Sequence, residues 1–151
     1  MASTNLIADV KIIPLHRIPD DRGMVMHMLR SDDPHFLKLG EIYFSMVYPG
    51  AVKGWHLHTL MSLNYTVVVG NILLVIYDDR KESPSSGVVQ EIFLGEDQYS
   101  LVQIPPNLWN AFKGLGNERS IVANCSTHPH DLREIKCVDA YQNHIPYRWN
   151  P

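Results

Sequence analysis

Short β-type runs cut by turn chemistry recur along almost the whole chain, and no window of useful length shows helical periodicity. Glu41 to Tyr48, Leu63 to Val69, Asn71 to Asp79, Val88 to Leu94, Tyr99 to Ile104 and Ser120 to Cys125 are rich in apolar, aromatic and β-branched residues, the composition of strands. Pro49-Gly50, Gly70, the loop Lys81 to Gly87 and Pro105-Pro106-Asn107 punctuate them. The pattern predicts an all-β sandwich or barrel, and the lack of internal repeats argues against a propeller. Val10 to Ile18, with Pro14 inside it, reads as an edge strand able to pair with another subunit. Pro19 to Gly23 then reads as a turn and Met24 to Leu29 as the next strand.

At 151 residues the chain is expected to form one domain, 1–151, able to bury a core without metal or disulfide help. Hydrophobic residues are 45% and charged residues 19%, globular rather than disordered values. The net charge of -3, with no Lys/Arg stripe, argues against a nucleic-acid partner. No apolar run is long enough to span a membrane, and Met1 to Ile7 lacks a basic segment followed by an apolar one. The expectation is a soluble cytoplasmic protein with no membrane partner. Cys125 and Cys137 form no CxxC pair, so two reduced, packed thiols are expected, neither beside an activating base.

The segment Gly50-Ala51-Val52-Lys53-Gly54-Trp55-His56-Leu57-His58 carries the chemistry. In a strand, residues two apart point the same way, so His56 and His58 share a wall while Trp55 and Leu57 face the other side and are buried. A lone histidine is more often a packed, hydrogen-bonded residue; two at this spacing beside glycines point to a site.

Gly50, His56, His58 and Gly70 resemble the first motif of the cupins, Gly-x5-His-x-His-x3,4-Glu-x6-Gly, and Ile104 to Asn110 sits where the second motif would be. The resemblance implies a cupin jelly-roll β-barrel with the site in its mouth and a C-terminal tail docking on the barrel. A closer resemblance covers most of the chain and is to the dTDP-4-dehydrorhamnose 3,5-epimerase family. Asp21-Arg22-Gly23, Lys53-Gly54-Trp55-His56, Tyr77-Asp78-Asp79-Arg80, Ser83-Pro84 with Gly87, Ile104-Pro105-Pro106 and Glu134 to Asp139 follow that family's segments in order.

That family epimerises 4-keto sugars on a nucleotide by removing a proton alpha to the ketone, holding the enolate and returning the proton from the opposite face. The resemblance implies His56 as base and Asp139 as its orienting partner. Arg22 and Lys53 would meet a diphosphate, and Glu41 and Asn110 occupy substrate-binding positions. Trp109, beside Asn110, is a candidate for the mouth. Two chemical groups are replaced: Leu63 stands at the family's enolate-holding Lys, and Ala123 at its acid Tyr. His58, as a second acid or base or as an enolate stabiliser, and Tyr43, as proton donor, are the substitutes to consider.

A cupin metal would need a Glu where Leu63 stands and a His where Asn110 stands, so no metal or other cofactor is expected. The implied protein is a single-centre (C3 or C5) epimerase of an NDP-4-keto-6-deoxyhexose that works as a homodimer. The alternatives are a nucleotide-sugar 3,4-ketoisomerase, whose two histidines also stand as His-x-His, and a non-catalytic or metal-dependent binding cupin.

Overall fold

The structure is a computed structural model that describes residues 6–151. The N-terminal stretch read above for a leader thus lies largely outside the described residues. Strands β1 (Lys11–Pro14), β2 (Arg17–Asp20), β3 (Gly23–Met26), β4 (Glu41–Val47), β5 (Val52–His58) and β6 (Leu63–Val69) fill the first half. Strands β7 (Asn71–Tyr77), β8 (Val89–Gly95), β9 (Ser100–Ile104), β10 (Trp109–Gly114), β11 (Ser120–Ser126) and β12 (Ile135–Cys137) fill the second. Two five-stranded antiparallel sheets form the barrel: sheet I in the order β1-β9-β6-β11-β4 and sheet II in the order β12-β5-β10-β7-β8. The fold is the expected all-β cupin jelly roll.

Alternation along each strand sorts the side chains. Leu63, Tyr65 and Val67 of β6, Ile72, Leu74 and Ile76 of β7, and Val102 and Ile104 of β9 fill the space between the sheets. The opposite face of sheet II is equally apolar. There Trp55, Leu57, Val75, Trp109 and Ala111 form a second core closed by Ile145 of the tail, with Tyr147 and Trp149 packed against it. Trp149 lies 5.9 Å from Trp55 ring to ring, and the Tyr147 hydroxyl donates to Glu91 Oε1 at 2.5 Å. The tail therefore docks on the barrel because sheet II would otherwise leave Trp55 in water.

The segment expected as one edge strand is split. β1 pairs with β9 at the border of sheet I, where the missing N–H of Pro14 is harmless. β2 and β3 instead form a separate two-stranded hairpin. Gly70 turns β6 into β7 with φ of 77°, and a Cβ there would lie 2.3 Å from Ser120 Oγ, so both dihedral and space demand glycine.

Candidate active site

The histidine strand departs from simple alternation. Asn110 of β10 pairs with His56, but Phe112 pairs with Lys53, so three steps along β5 match two along β10. This bulge at Gly54-Trp55 reverses the parity, and Lys53 joins His56 and His58 on the face between the sheets. Gly54 lets the tail approach closely, since an added Cβ would lie 3.3 Å from Ala140.

β12 lies beside β5, with Cys137 opposite His56 and Ile135 opposite His58. His56 Nδ1 is 3.1 Å from Cys137 Sγ. His58 Nδ1 is 2.5 Å from Glu134 Oε1, in a nearly buried pair. Glu134 Oε2 accepts from the amides of Leu60 and Met61 at 3.1 and 3.2 Å. Burial acts to raise the Glu134 carboxyl, but hydrogen bonds from His58 and the two amides outweigh it and hold the group below its ordinary value. Burial depresses His56, and the positive charges of His58 and Lys53 push it further the same way. His56 is thus held neutral.

The facing wall comes from sheet I. Glu41, Tyr43, Ser45 and Val47 share one face of β4. The Lys53 Nζ donates to Ser45 Oγ at 2.7 Å, linking the two sheets at the mouth. Asn124 of β11 pairs with Tyr43 on one side and Tyr65 on the other. Burial, aided by the Tyr43 hydroxyl hydrogen-bonded to it, pushes the Tyr65 phenol well up. Asn124 is fully buried. Its Oδ1 accepts the Asn64 amide, while its Nδ2 has no partner among the described residues.

Of the expected site residues, His56, His58, Lys53, Tyr43, Glu41 and Asn110 gather around this space, with Asn110 Nδ2 donating to the His56 carbonyl at 3.4 Å. Three do not. Asp139 lies beyond the end of β12, where its Oδ1 accepts the amides of Tyr141 and Gln142 at 2.8 Å. It caps a turn, and its place at His56 Nδ1 is taken by Cys137, whose thiol was expected to have no base beside it. Trp109 faces away, since inward-facing Asn110 forces its neighbour outward; its Nε1 donates to Asp79 Oδ2 at 2.9 Å. Arg22 sits at the tip of the β2–β3 hairpin, 86% exposed and ion-paired with Asp20 at 2.9 Å.

Glu134, Cys137 and Asn124 are the residues that sequence reasoning missed. Pairing parity across β12 would have found Cys137, but only with the register known. Ala123, which stands at the family's Tyr, points out of the barrel beside inward Asn124. Among the described residues, no group of three or more His, Cys, Asp or Glu is arranged to hold a metal ion.

The motifs around Asp78 are structural. Its fully buried carboxylate accepts from Arg80 Nε at 2.9 Å and from the hydroxyls of Ser83 and Ser85 at 2.6 and 2.7 Å. Burial would raise it, yet these donors hold it far below the carboxylate range.

Two imidazoles anchored through Nδ1 present their other ring edges to a mouth that also holds an ammonium, a phenol and carboxamides, the equipment for moving a proton at a carbon alpha to a ketone. Fold and site together define the class: a jelly-roll nucleotide-sugar epimerase. The chain belongs to the dTDP-4-dehydrorhamnose 3,5-epimerase family, whose model matches residues 4–151. It is 34% identical over 143 residues to a probable low-salt glycan biosynthesis epimerase of Haloferax volcanii, covering 93% of this chain and 88% of the relative. A crystal structure of a dTDP sugar isomerase from Desulfovibrio desulfuricans is 40% identical and superposes with a TM-score of 0.95, covering 98% of this chain and 95% of that one. A dTDP-4-dehydrorhamnose 3,5-epimerase from Sulfolobus tokodaii is 28% identical, with a TM-score of 0.79 over 89% of this chain and 79% of its own.

Proposed function

We propose that the protein removes a proton alpha to the ketone of an NDP-4-keto-6-deoxyhexose, dTDP-linked in the first instance, and epimerises one carbon, C3 or C5. The observation that carries this reading is His56: Nδ1 is occupied by Cys137 Sγ, and the ring is held neutral in a half-buried mouth. In the tautomer that donates Nδ1–H to sulfur, Nε2 keeps the lone pair that a general base needs. The C–H electrons become the enolate double bond, and the ketone oxygen takes the negative charge. Tyr43, on the facing wall, returns a proton from the other side, and solvent reprotonates its phenolate. Lys53 supplies positive charge for the diphosphate.

A second copy of the chain completes the assembly in this reading. The outer face of β4 shows Ile42, Phe44 and Met46, followed by Tyr48, at 40–68% exposure, an apolar stripe of the kind subunits cover. A cytoplasmic location is supported by Cys125 and Cys137, which are both free thiols.

Incubation with a dTDP-4-keto-6-deoxyglucose-type substrate in deuterium oxide tests the reaction. Deuterium is expected at one carbon flanking the ketone, and His56→Ala is expected to slow its entry by about 10²–10⁴-fold. No incorporation by the wild-type protein, or incorporation undiminished in His56→Ala, would sink the reading.

A further inference from the structure

Leu63 and Ala123 leave two tasks of the reaction without an obvious residue. Leu63 is 1% exposed and packed in the apolar core, so nothing at that position holds an enolate. The neighbour of His56 on the same wall is better equipped. His58 Nδ1 faces the Glu134 carboxylate at 2.5 Å, and the other carboxylate oxygen is fixed by two backbone amides. An ionised, amide-anchored acceptor requires the hydrogen of that bond to sit on Nδ1, which leaves Nε2 as the ring atom available to substrate.

His56 and His58 therefore have opposite surroundings. One has a sulfur at Nδ1 and cationic neighbours; the other has a buried carboxylate. Adjacent imidazoles with opposed environments are suited to different tasks, one to accept a proton and the other to face negative charge. The titratable and charged groups around the pair are Glu134 at His58 Nδ1, His56 and Lys53 on the same face of β5, Cys137 opposite His56 on β12, and Glu41 and Tyr43 on the inner face of β4.

We propose that the Glu134–His58 pair is the enolate-holding device of this chain, with His58 as an imidazolium donating Nε2–H to the ketone oxygen and Glu134 as its positioning residue. This rests on the proton-abstraction reading above. While His56 Nε2 takes the proton from carbon and the C–H electron pair moves into the enolate, the charge arriving on oxygen meets the His58 N–H. His58 itself loses and gains no proton. An imidazolium on the wall of the base explains how this chain dispenses with the lysine: the positive charge has moved from the strand after the bend to the histidine before it.

Imidazole nitrogen shifts in ligand-free protein and deuterium entry with saturating nucleotide sugar are the two measurements. At neutral pH, His58 is expected to show both nitrogens protonated in wild type and to become neutral in Glu134→Gln. In that variant kcat for exchange falls at least about tenfold with KM unchanged, and His58→Leu costs about 10²–10³-fold in kcat, the cost of one oxyanion donor. Because Glu134 also holds the Leu60 and Met61 amides, each variant is first checked for wild-type circular dichroism. His58→Gln, which keeps a neutral donor, serves if His58→Leu fails to fold and is expected to retain part of the rate. A neutral His58 in wild type, or exchange within twofold of wild type in Glu134→Gln and the His58 variants, would overturn the proposal. No exchange by wild type would overturn the reaction and the role of His58 together, whereas exchange that survives these variants but not His56→Ala overturns only the role given to the pair.

Discussion

His56 is the residue on which charge and position act together. Burial first, then the charges of His58 and Lys53, lower it from the ordinary histidine value, so it stays a competent base below the pH at which a free imidazole protonates, near 6.5. The acid limb of kcat/KM for exchange is therefore expected below that value. Lys53→Met removes one of the repelling charges, so the limb moves up toward the ordinary value while the neutral-pH rate falls through weaker diphosphate binding. An unmoved limb would show that Lys53 does not sense His56. The partner of Nδ1 is a sulfur, not a carboxylate. Cys137→Ala is expected to lower kcat by roughly tenfold by freeing the ring, a fraction of the effect of a lost base. Asp139→Ala, which removes only the carboxylate cap of an exposed turn, leaves kcat within about threefold by the same comparison. A larger effect for Asp139→Ala than for Cys137→Ala would restore the carboxylate as the orienting group.

At the scale of elements, what the sequence made legible follows from local chemistry. Turn residues and β-rich runs marked most strands, and the parity of Trp55 against His56 placed one in a core and the other in the mouth. Parity failed where an element broke its own rule. The Gly54-Trp55 bulge brings Lys53 to the histidine face, and nothing local in Lys53-Gly54-Trp55 announces an extra residue. Trp109 was misplaced for the complementary reason: its side is set by the register of β10 on β5, a long-range fact. Glu134 was invisible because its partner lies 76 positions away in the chain. The Asp78 motif was legible as a family mark but not as a brace. Its carboxylate joins β7 to the loop before β8, and Arg80 extends the brace to the Ala8 carbonyl at 3.1 Å. Asp78→Asn leaves Arg80 without its buried counter-charge and is expected to cost about 3 kcal/mol in urea unfolding. Since the carboxyl is held below its unfolded value, this contribution is present above the unfolded value and disappears as the pH falls through the folded one. A variant as stable as wild type at neutral pH would remove the brace from the account.

The whole molecule poses the question of Arg22, which the hairpin carries out into solvent at 86% exposure instead of into its own barrel. Beside it, Ile18, Met24 and Val25 of the same hairpin are 51–57% exposed, more apolar surface than a free hairpin keeps in water. Both features suit a chain whose hairpin lies on a second copy, with the stripe on β4 as the companion surface. Light scattering is expected to give a dimer, and Phe44→Asp, which puts a charge into that stripe, is expected to give a folded monomer with little exchange activity. If Arg22 serves the diphosphate of the neighbouring barrel, complementation follows from two-fold symmetry. A His56→Ala subunit still offers Arg22, and an Arg22→Ala subunit still offers His56. Equal mixing and random reassociation make half the dimers mixed, and each mixed dimer holds one intact site, so about a quarter of wild-type exchange should return. Were Arg22 acting in its own barrel, or not at all, the mixture would show no more than the average of its two parents.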